Sequence, residues 1–160
     1  MSGTLLSIMI SIGSAAVGAI ISYFLLRFRL RTSEAQSAIN DHIKDIEKFV
    51  SLSQAYWLKS SSETNAESER AAFVKSALHR LTISYPIISV HCKGESEKYK
   101  KLMLEMFELA TGGEFETFKR SIDSERALST AEKSNEIVMQ LRRIRRMSMS
   151  VRYNLFGKTK

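Results

Sequence analysis

Residues 35–57 read AQSAINDHIKDIEKFVSLSQAYW, and this stretch decides the class of fold. Its apolar side chains recur at helical spacing, while acidic and basic side chains occupy the remaining positions. An amphipathic helix of this kind buries its apolar stripe against other elements. The stretch therefore predicts one helix of an all-α bundle. The apolar stripe consists of Ile39, Ile43, Ile46, Val50 and Trp57.

Three further helices are predicted downstream of this one. The second covers about Ala66–Ser84, and Pro86 is expected to end it because the residue before a proline is pushed away from helical angles. The third covers Ser96–Ala110, and the glycines at 112–113 are a typical stop signal. From Glu114 to about Tyr153 the chain permits a fourth helix.

Two places in this scheme stay open. The stretch Ile87–Cys92 is apolar and partly β-branched, so it fits a strand, a buried connector or a continued helix. A lone strand has no partner here, which favours the connector or the helix. Ser129 and Glu132 fit a capping box, so the fourth helix has a potential break near Ala127–Ser129. These helices, which lie in the part of the chain assigned to the cytoplasm below, are expected to form an antiparallel bundle of about four helices.

Aromatic and methionine side chains are dense in this part of the chain. We expect them to form the bundle core, and any that are exposed would mark a partner surface. The set is Phe49, Tyr56, Trp57, Phe73, Tyr85, Tyr99, Met103, Met106, Phe107, Phe115 and Phe118.

The N-terminal segment has a different character. Thr4–Leu26 reads TLLSIMISIGSAAVGAIISYFLL, which is 23 residues without a charge. As a helix it spans roughly 34 Å, enough for a hydrocarbon core of about 30 Å. A buried core helix and a cleaved signal peptide are the alternatives, but no basic side chain precedes the apolar run. Residues 1–28 are therefore predicted to be a single transmembrane anchor.

The flanks of this segment predict its orientation. Arg27, Arg29 and Arg31 follow the run, which places the N-terminus outside the cell (inner) membrane and the rest of the chain in the cytoplasm. Small side chains repeat along one stripe of the segment, where they allow close helix–helix approach and homo-oligomers. The stripe predicted to mediate transmembrane self-association is Ser7, Ser11, Ser14, Gly18 and Ser22.

The remaining positive charge lies at the other end of the chain. The net charge is +7, and residues 137–160 contain seven basic and no acidic side chains. Ile137–Phe156 reads IVMQLRRIRRMSMSVRYNLF, a basic amphipathic pattern that suits anionic lipid head groups or an acidic protein partner. Nucleic acid is a less favoured ligand, and a bundle helix with a solvated basic face is the simplest alternative. The residues predicted to contact an anionic surface are Arg27, Arg29, Arg31, Arg142, Arg143, Arg145, Arg146 and Arg152.

The chain is thus divided into an anchor, a helical bundle over residues 29–136 and a basic C-terminal helix and tail over residues 137–160. Catalytic patterns are sparse in all three parts. The single cysteine, Cys92, excludes a disulfide framework, and the three histidines lack the spacing of metal ligands. No phosphate-binding loop precedes a helix. We therefore expect no enzyme activity, no cofactor and no metal.

These features predict a membrane-tethered helical interaction or regulatory module that acts by binding and self-association. Its partners would be the lipid bilayer, a second copy and an acidic protein. One alternative is a membrane-perturbing effector, such as a holin-like or defence-system toxin, whose span oligomerises. Another alternative is the recruitment of nucleic acid to the membrane by the basic tail.

Overall fold

The computed structural model is all-α, as expected, and its described residues contain no strand. It describes residues 16–60, 66–92, 94–117 and 120–146 in full, and outside these ranges only the course of the helices. A short 3₁₀ turn at Val90–Cys92 follows the second helix. The four helices are α1 (Ser2–Trp57), α2 (Thr64–Ser89), α3 (Ser96–Thr111) and α4 (Ser124–Phe156).

The chain divides into two compact units, Met1–Ser37 and Ala38–Lys160, and helix α1 contributes to both. In the first unit, the described part of α1 exposes a dense set of large apolar side chains. Each of them is more than one third exposed: Val17, Ile20, Ile21, Tyr23, Phe24, Leu25, Leu26, Phe28 and Leu30.

The transmembrane anchor is not supported by the residues that the structure describes. Among them, no helix contains a run that is both long enough and apolar enough to cross a membrane. The first half of the predicted span, residues 4–15, lies outside the described residues.

In the second unit the four helices alternate in direction. The Nδ1 atom of His42, early in the α1 segment, lies 2.8 Å from Ser84 near the end of α2. At the opposite end, Arg120 joins the Tyr56 carbonyl oxygen at the end of α1 to Glu67 at the start of α2. Helices α1 and α2 are therefore antiparallel.

Helix α4 runs antiparallel to both α1 and α3. Its start lies beside the end of α1, because the Asp123 backbone N–H donates to the Trp57 carbonyl oxygen at 3.0 Å. Near the other end, Arg145 donates to the Asn40 side chain at 2.5 Å. Against α3, Gln140 pairs with Glu95 and Lys133 pairs with Glu105. The predicted antiparallel bundle is confirmed by these pairs.

The core between the helices holds most of the expected side chains. Phe73 is the clearest exception among the aromatic residues, since about half of its surface is exposed. Ile122, which lies just before α4, is also exposed. The largest fully buried side chains are Trp57, Tyr56, Tyr99, Phe49, Ile46, Leu81, Ile88, Met103, Met106, Ile137, Leu141 and His42.

The expectation that Pro86 ends the second helix is wrong, because α2 continues to Ser89 and then tightens into the 3₁₀ turn. A proline inside a helix removes one backbone hydrogen bond and costs about 3 kcal/mol. Continuing the helix buries Ile88 and Cys92 almost completely, and this burial offsets that cost. The apolar stretch at 87–92 is thus a continued helix rather than a strand.

The fourth helix also begins later than Glu114. It begins at Ser124, where the Asp123 carboxylate accepts a hydrogen bond from the Arg126 backbone N–H at 2.8 Å and so caps the first turn. The potential break near Ala127–Ser129 does not occur. Helix α4 is continuous through these residues, and Ala127 is buried in the core. The chain from Glu114 to Asp123 instead connects α3 to α4 around the end of α1.

Candidate functional site

In the first unit, the described residues that were predicted to contact the membrane surface or a second copy are exposed. Arg27, Arg29 and Arg31 are all exposed. Gly18 and Ser22 are exposed as well, and a Cβ added at Gly18 would meet no atom within 4 Å. Ser7, Ser11 and Ser14 of the predicted association stripe lie outside the described residues.

The predicted arginine surface of α4 is divided in two. Arg142 lies 3.8 Å from the Glu47 carboxylate, and Arg145 donates to Asn40, so both reach helix α1. Arg143 and Arg146 are exposed, and neither makes an ion pair with any described residue. Arg152 lies outside the described residues. Among the described residues of α4, Arg143 and Arg146 are therefore the exposed arginines without an ion pair.

These two arginines line a groove between α3 and α4, which we call the α3–α4 groove. Its volume is about 350 Å³. Helix α3 contributes residues spaced three and four apart, so one face of that helix forms one wall, and α4 forms the other wall in the same way. The lining residues are Glu95, which directly precedes α3, Lys98 and Leu102 from α3, and Glu136, Met139, Gln140, Arg143 and Arg146 from α4.

Gln140 is the buried polar residue of this groove, with only 7% of its surface exposed. Its Nε2 atom donates to the Glu95 carboxylate at 3.1 Å and also lies 3.4 Å from the Glu95 carbonyl oxygen. Its Oε1 atom is buried and accepts no hydrogen bond from the described part of the chain. An amide oxygen in this situation lacks the donor that buried acceptors normally have.

The groove carries charges of both signs. Lys98, Arg143 and Arg146 make no ion pair with a described residue, whereas the Glu136 carboxylate lies 3.3 Å from Lys133. The apolar side chains of Leu102 and Met139 lie between the charged groups along the same walls. The groove therefore presents positive, negative and apolar side chains next to one another.

Sequence reasoning found the arginines of this groove but missed Glu95, Lys98 and Gln140. Their helical spacing on α3 and α4 was the available signal. That spacing indicates a groove only when α3 and α4 are known to be antiparallel neighbours. The sequence pattern alone did not pair these two helices.

A second polar cluster lies inside the bundle around His42, which is 2% exposed. The Tyr99 hydroxyl lies 2.5 Å from its Nε2 atom, and Ser84 Oγ lies 2.8 Å from its Nδ1 atom. Burial lowers the pKa of His42 to about 4 and raises the pKa of Tyr99. A neutral imidazole thus accepts from Tyr99 and donates to Ser84, whose own hydroxyl donates to the Leu81 carbonyl oxygen. Every polar group in the cluster is paired.

A third cluster centres on Arg120, whose side chain is fully buried. Its Nε atom donates to Glu67 at 3.0 Å, and its Nη2 atom donates to the carbonyl oxygens of Tyr56 and Lys59 at 2.7 and 2.6 Å. The guanidinium carbon also lies 4.2 Å from the centroid of the Tyr56 ring. These groups satisfy each other, so the cluster holds helices together rather than facing a ligand.

The remaining candidates have the features of structural sites. Cys92 is buried, and burial raises the pKa of its thiol to about 11, so the thiol stays protonated at neutral pH. A second cavity, of about 410 Å³, lies beside Gly112, but its two cations, Arg126 and Lys133, are paired with Asp123 and Glu105. The described residues contain no group of three or more acidic, histidine or cysteine side chains placed to hold a metal ion.

Comparison with protein-family models, with curated proteins and with solved structures finds no match to this chain.

Proposed function

We propose that this protein is a membrane-tethered helical interaction module that acts by binding and self-association. The observation that carries the proposal is the apolar run of α1. Thr4–Leu26 contains no charge, and its described portion leaves large apolar side chains such as Ile20 and Phe24 more than half exposed. Exposed apolar surface of this density is typical of a segment that contacts lipid or another protein.

The charge pattern around the run supports one orientation. Arg27, Arg29 and Arg31 follow the run directly and are exposed. Basic residues that flank an apolar segment on one side favour the cytoplasmic side of the membrane. We therefore assign the helical bundle to the cytoplasmic face of the cell membrane, and the N-terminus to the opposite side.

The second unit offers surfaces on which such a module can bind partners. Arg143 and Arg146 provide open positive charge on α4. Ile83 and Ile87 on α2 and Val90 in the following 3₁₀ turn are between 59% and 72% exposed. They follow each other at helical spacing, so they form a continuous apolar row. A basic surface and an apolar row on one small bundle suit binding better than catalysis.

The tether is tested by placing charges in the apolar run. The full chain with a reporter after Lys160 is expected in the membrane fraction, resistant to alkaline extraction, with the reporter active in the cytoplasm. The double variant Ile20→Lys, Ile21→Lys should move to the soluble fraction, because each lysine in a membrane helix costs about 3 kcal/mol.

The matched control is Ile83→Lys, Ile87→Lys, which places the same two lysines on exposed positions of α2. This variant should stay in the membrane fraction. A soluble parent chain, or membrane retention of the Ile20→Lys, Ile21→Lys variant, would refute the tether. A reporter active only outside the cell would refute the orientation.

The same preparations separate this function from its two alternatives. Leakage of dye from vesicles that carry the full chain would replace the proposal with a membrane-perturbing effector. Salt-sensitive retention of nucleic acid, lost in Arg143→Gln, Arg146→Gln, would replace it with nucleic-acid recruitment.

A further inference from the structure

We propose that the apolar row formed by Ile83, Ile87 and Val90, which we call the α2 row, packs against the same row of a second copy of this chain. The proposal names the surface of the second unit through which the chain self-associates. It rests on the proposed function for the tether that concentrates the copies, whereas the choice of surface rests on the second unit alone.

The α2 row lies on the face of α2 that points away from the bundle core. Ile83, Ile87 and Val90 are each more than half exposed, while Leu81 and Ile88 on the opposite face are almost completely buried. Helical residues three or four positions apart lie next to one another, so the three exposed side chains form one contiguous patch. Contiguous exposed apolar patches mark interaction sites.

Exposed large apolar side chains on α3 and α4 lack such apolar neighbours. Leu104 on α3 is exposed and lies one turn from Lys101 and Glu108. Met139 on α4 is exposed and lies one turn from Glu136. Single apolar side chains among charged ones are normal on a protein surface and need no partner. The α2 row therefore differs from them in being continuous.

The charges around the α2 row favour a second copy as its partner. Residues 71–92 contain no acidic side chain and two lysine or arginine side chains. The Nζ atom of Lys75 lies 2.6 Å from the Glu116 carboxylate, and the Nε atom of Arg80 lies 3.1 Å from the Asp45 carboxylate. Because both cations are paired within their own chain, two copies of this face do not repel each other, although the chain as a whole has a net charge of +7. Lipid phosphate or nucleic acid would need unpaired lysine or arginine side chains beside the row.

The spacing of the α2 row also suits pairing with itself. A contact about a two-fold axis uses the same patch on both copies, so a row of isoleucine and valine meets side chains of matching shape and polarity. Steps of four and three residues are the steps by which paired helices place their apolar contacts. Ile87 is the middle member of the row, so it meets its counterpart in the second copy whether the two helices cross in parallel or antiparallel.

The small size of the α2 row makes this contact dependent on the tether. A stable interface between soluble proteins involves about 20–30 residues on each side, which is far more than this row offers. Holding copies in one membrane raises their effective concentration, so a short apolar contact is enough to pair them. The row lies at the end of the second unit where α1 enters it, since His42 of α1 contacts Ser84 of α2.

The contact is tested by disulfide crosslinking of single cysteine variants of the full chain, in isolated membranes and with a mild oxidant. Ile87→Cys should form disulfide-linked dimers. The parent chain provides the background, because its own cysteine, Cys92, is buried. Leu104→Cys and Met139→Cys place the thiol at exposed apolar positions of α3 and α4, and they should give severalfold less dimer.

A second set of variants tests the apolar contact while leaving the crosslinking position intact. In the Ile87→Cys background, Ile83→Gln, Val90→Gln should lower the dimer yield severalfold, because the row loses the apolar surface that would be buried. Leu104→Gln, Leu128→Gln removes two exposed leucines from α3 and α4 and should leave the yield unchanged. All four positions are exposed, so circular dichroism should show the same helix content in every variant.

Similar dimer yields at positions 87, 104 and 139 would indicate random collisions and overturn the proposal. An unchanged yield in Ile83→Gln, Val90→Gln would overturn it too. If Ile87→Cys forms no dimers, the partner of the α2 row is not a second copy.

Fractionation of the same cells before crosslinking separates this proposal from the tether on which it rests. A chain found in the membrane fraction that does not crosslink at position 87 retains the tether and excludes the α2 row. A chain found in the soluble fraction that crosslinks at position 87, but not at positions 104 and 139, refutes the tether and retains the row.

Discussion

His42 is a histidine that the bundle buries among partners for both ring nitrogens. Tyr99 donates to Nε2 and Ser84 accepts from Nδ1–H, which satisfies the neutral ring completely. Protonation would place a second N–H against the Tyr99 hydroxyl and a positive charge in the core. The nearby Asp45 carboxylate opposes the lowering of the pKa, but burial is the larger effect. The folded state therefore favours the neutral form of His42.

This arrangement makes the stability of the bundle depend on pH. Above pH 6.5, histidine is neutral in both states, and the contribution of His42 is fully present. Below that value the unfolded chain takes up a proton that the folded chain refuses until about pH 4, so stability falls as the pH decreases. We expect a loss of about 3 kcal/mol between pH 6.5 and pH 4.

The measurement is chemical unfolding followed by the fluorescence of Trp57, which is the single tryptophan of the chain and is buried. His42→Gln should remove most of the dependence over this pH range. His79→Gln changes an exposed histidine on α2 and should retain it. An identical pH profile for both variants would show that His42 is not the responsible group.

At the scale of elements, the connection from α3 to α4 is ordered by arginines. Arg120 binds the end of α1 and the start of α2, and Arg126 donates to the carbonyl oxygen of Gly112 at the end of α3. The guanidinium carbons of both arginines lie over the Trp57 ring, at 5.0 and 4.7 Å from its centroid. One aromatic ring and two cations thus join all four helices at this end of the bundle.

Replacing Arg120 by methionine should destabilise the second unit strongly. The change leaves the Glu67 carboxylate, of which only 11% of the side chain is exposed, with Arg70 at 3.5 Å as its remaining ion-pair partner. It also removes the Arg120 donor from the buried Tyr56 carbonyl oxygen and from the part-buried Lys59 carbonyl oxygen. Breaking a buried pair in this way costs about 3 kcal/mol or more in the free energy of unfolding.

A double-mutant cycle separates the charge from the packing. Glu67→Gln in the Arg120→Met background should recover part of the lost stability, because the uncompensated charge is removed. Lys75→Gln breaks an exposed ion pair with Glu116 and should cost less than about 1 kcal/mol. Strictly additive effects of Arg120→Met and Glu67→Gln would contradict the assigned pairing.

At the scale of the whole molecule, the proposed self-association belongs to the apolar run of α1. Gly18 has open space around it, so a larger side chain meets nothing within its own chain. We expect Gly18→Leu to reduce crosslinked oligomers in membranes severalfold, because close approach of two helices needs small side chains. Crosslinking in native membranes, with the full chain, measures this effect.

Leu25→Ile provides the control, since it changes shape but not size outside the small-residue stripe. It should leave crosslinking unchanged. Equal crosslinking of the parent chain, Gly18→Leu and Leu25→Ile would exclude the stripe as the contact.

The sequence by itself determined the fold class of this protein and most of its core. Apolar positions at helical spacing, such as Ile39, Ile46 and Val50, predicted a helix, and each of these side chains is buried. Periodicity is a local property, so it can be read from neighbouring residues without knowing which helices will meet. The same locality explains the errors at Pro86 and Glu114, where local preferences gave way to tertiary packing.

Only the tertiary structure decided which polar residues meet. The pairs His42–Tyr99, Arg120–Glu67 and Gln140–Glu95 join residues 57, 53 and 45 positions apart. Nothing in the local pattern distinguishes Gln140 from a solvated side chain of α4, because its burial and its unpaired oxygen depend on α3 packing alongside. Helix formation is governed by near neighbours and buried polar pairing by distant ones, so the bundle could be predicted from sequence and its groove could not.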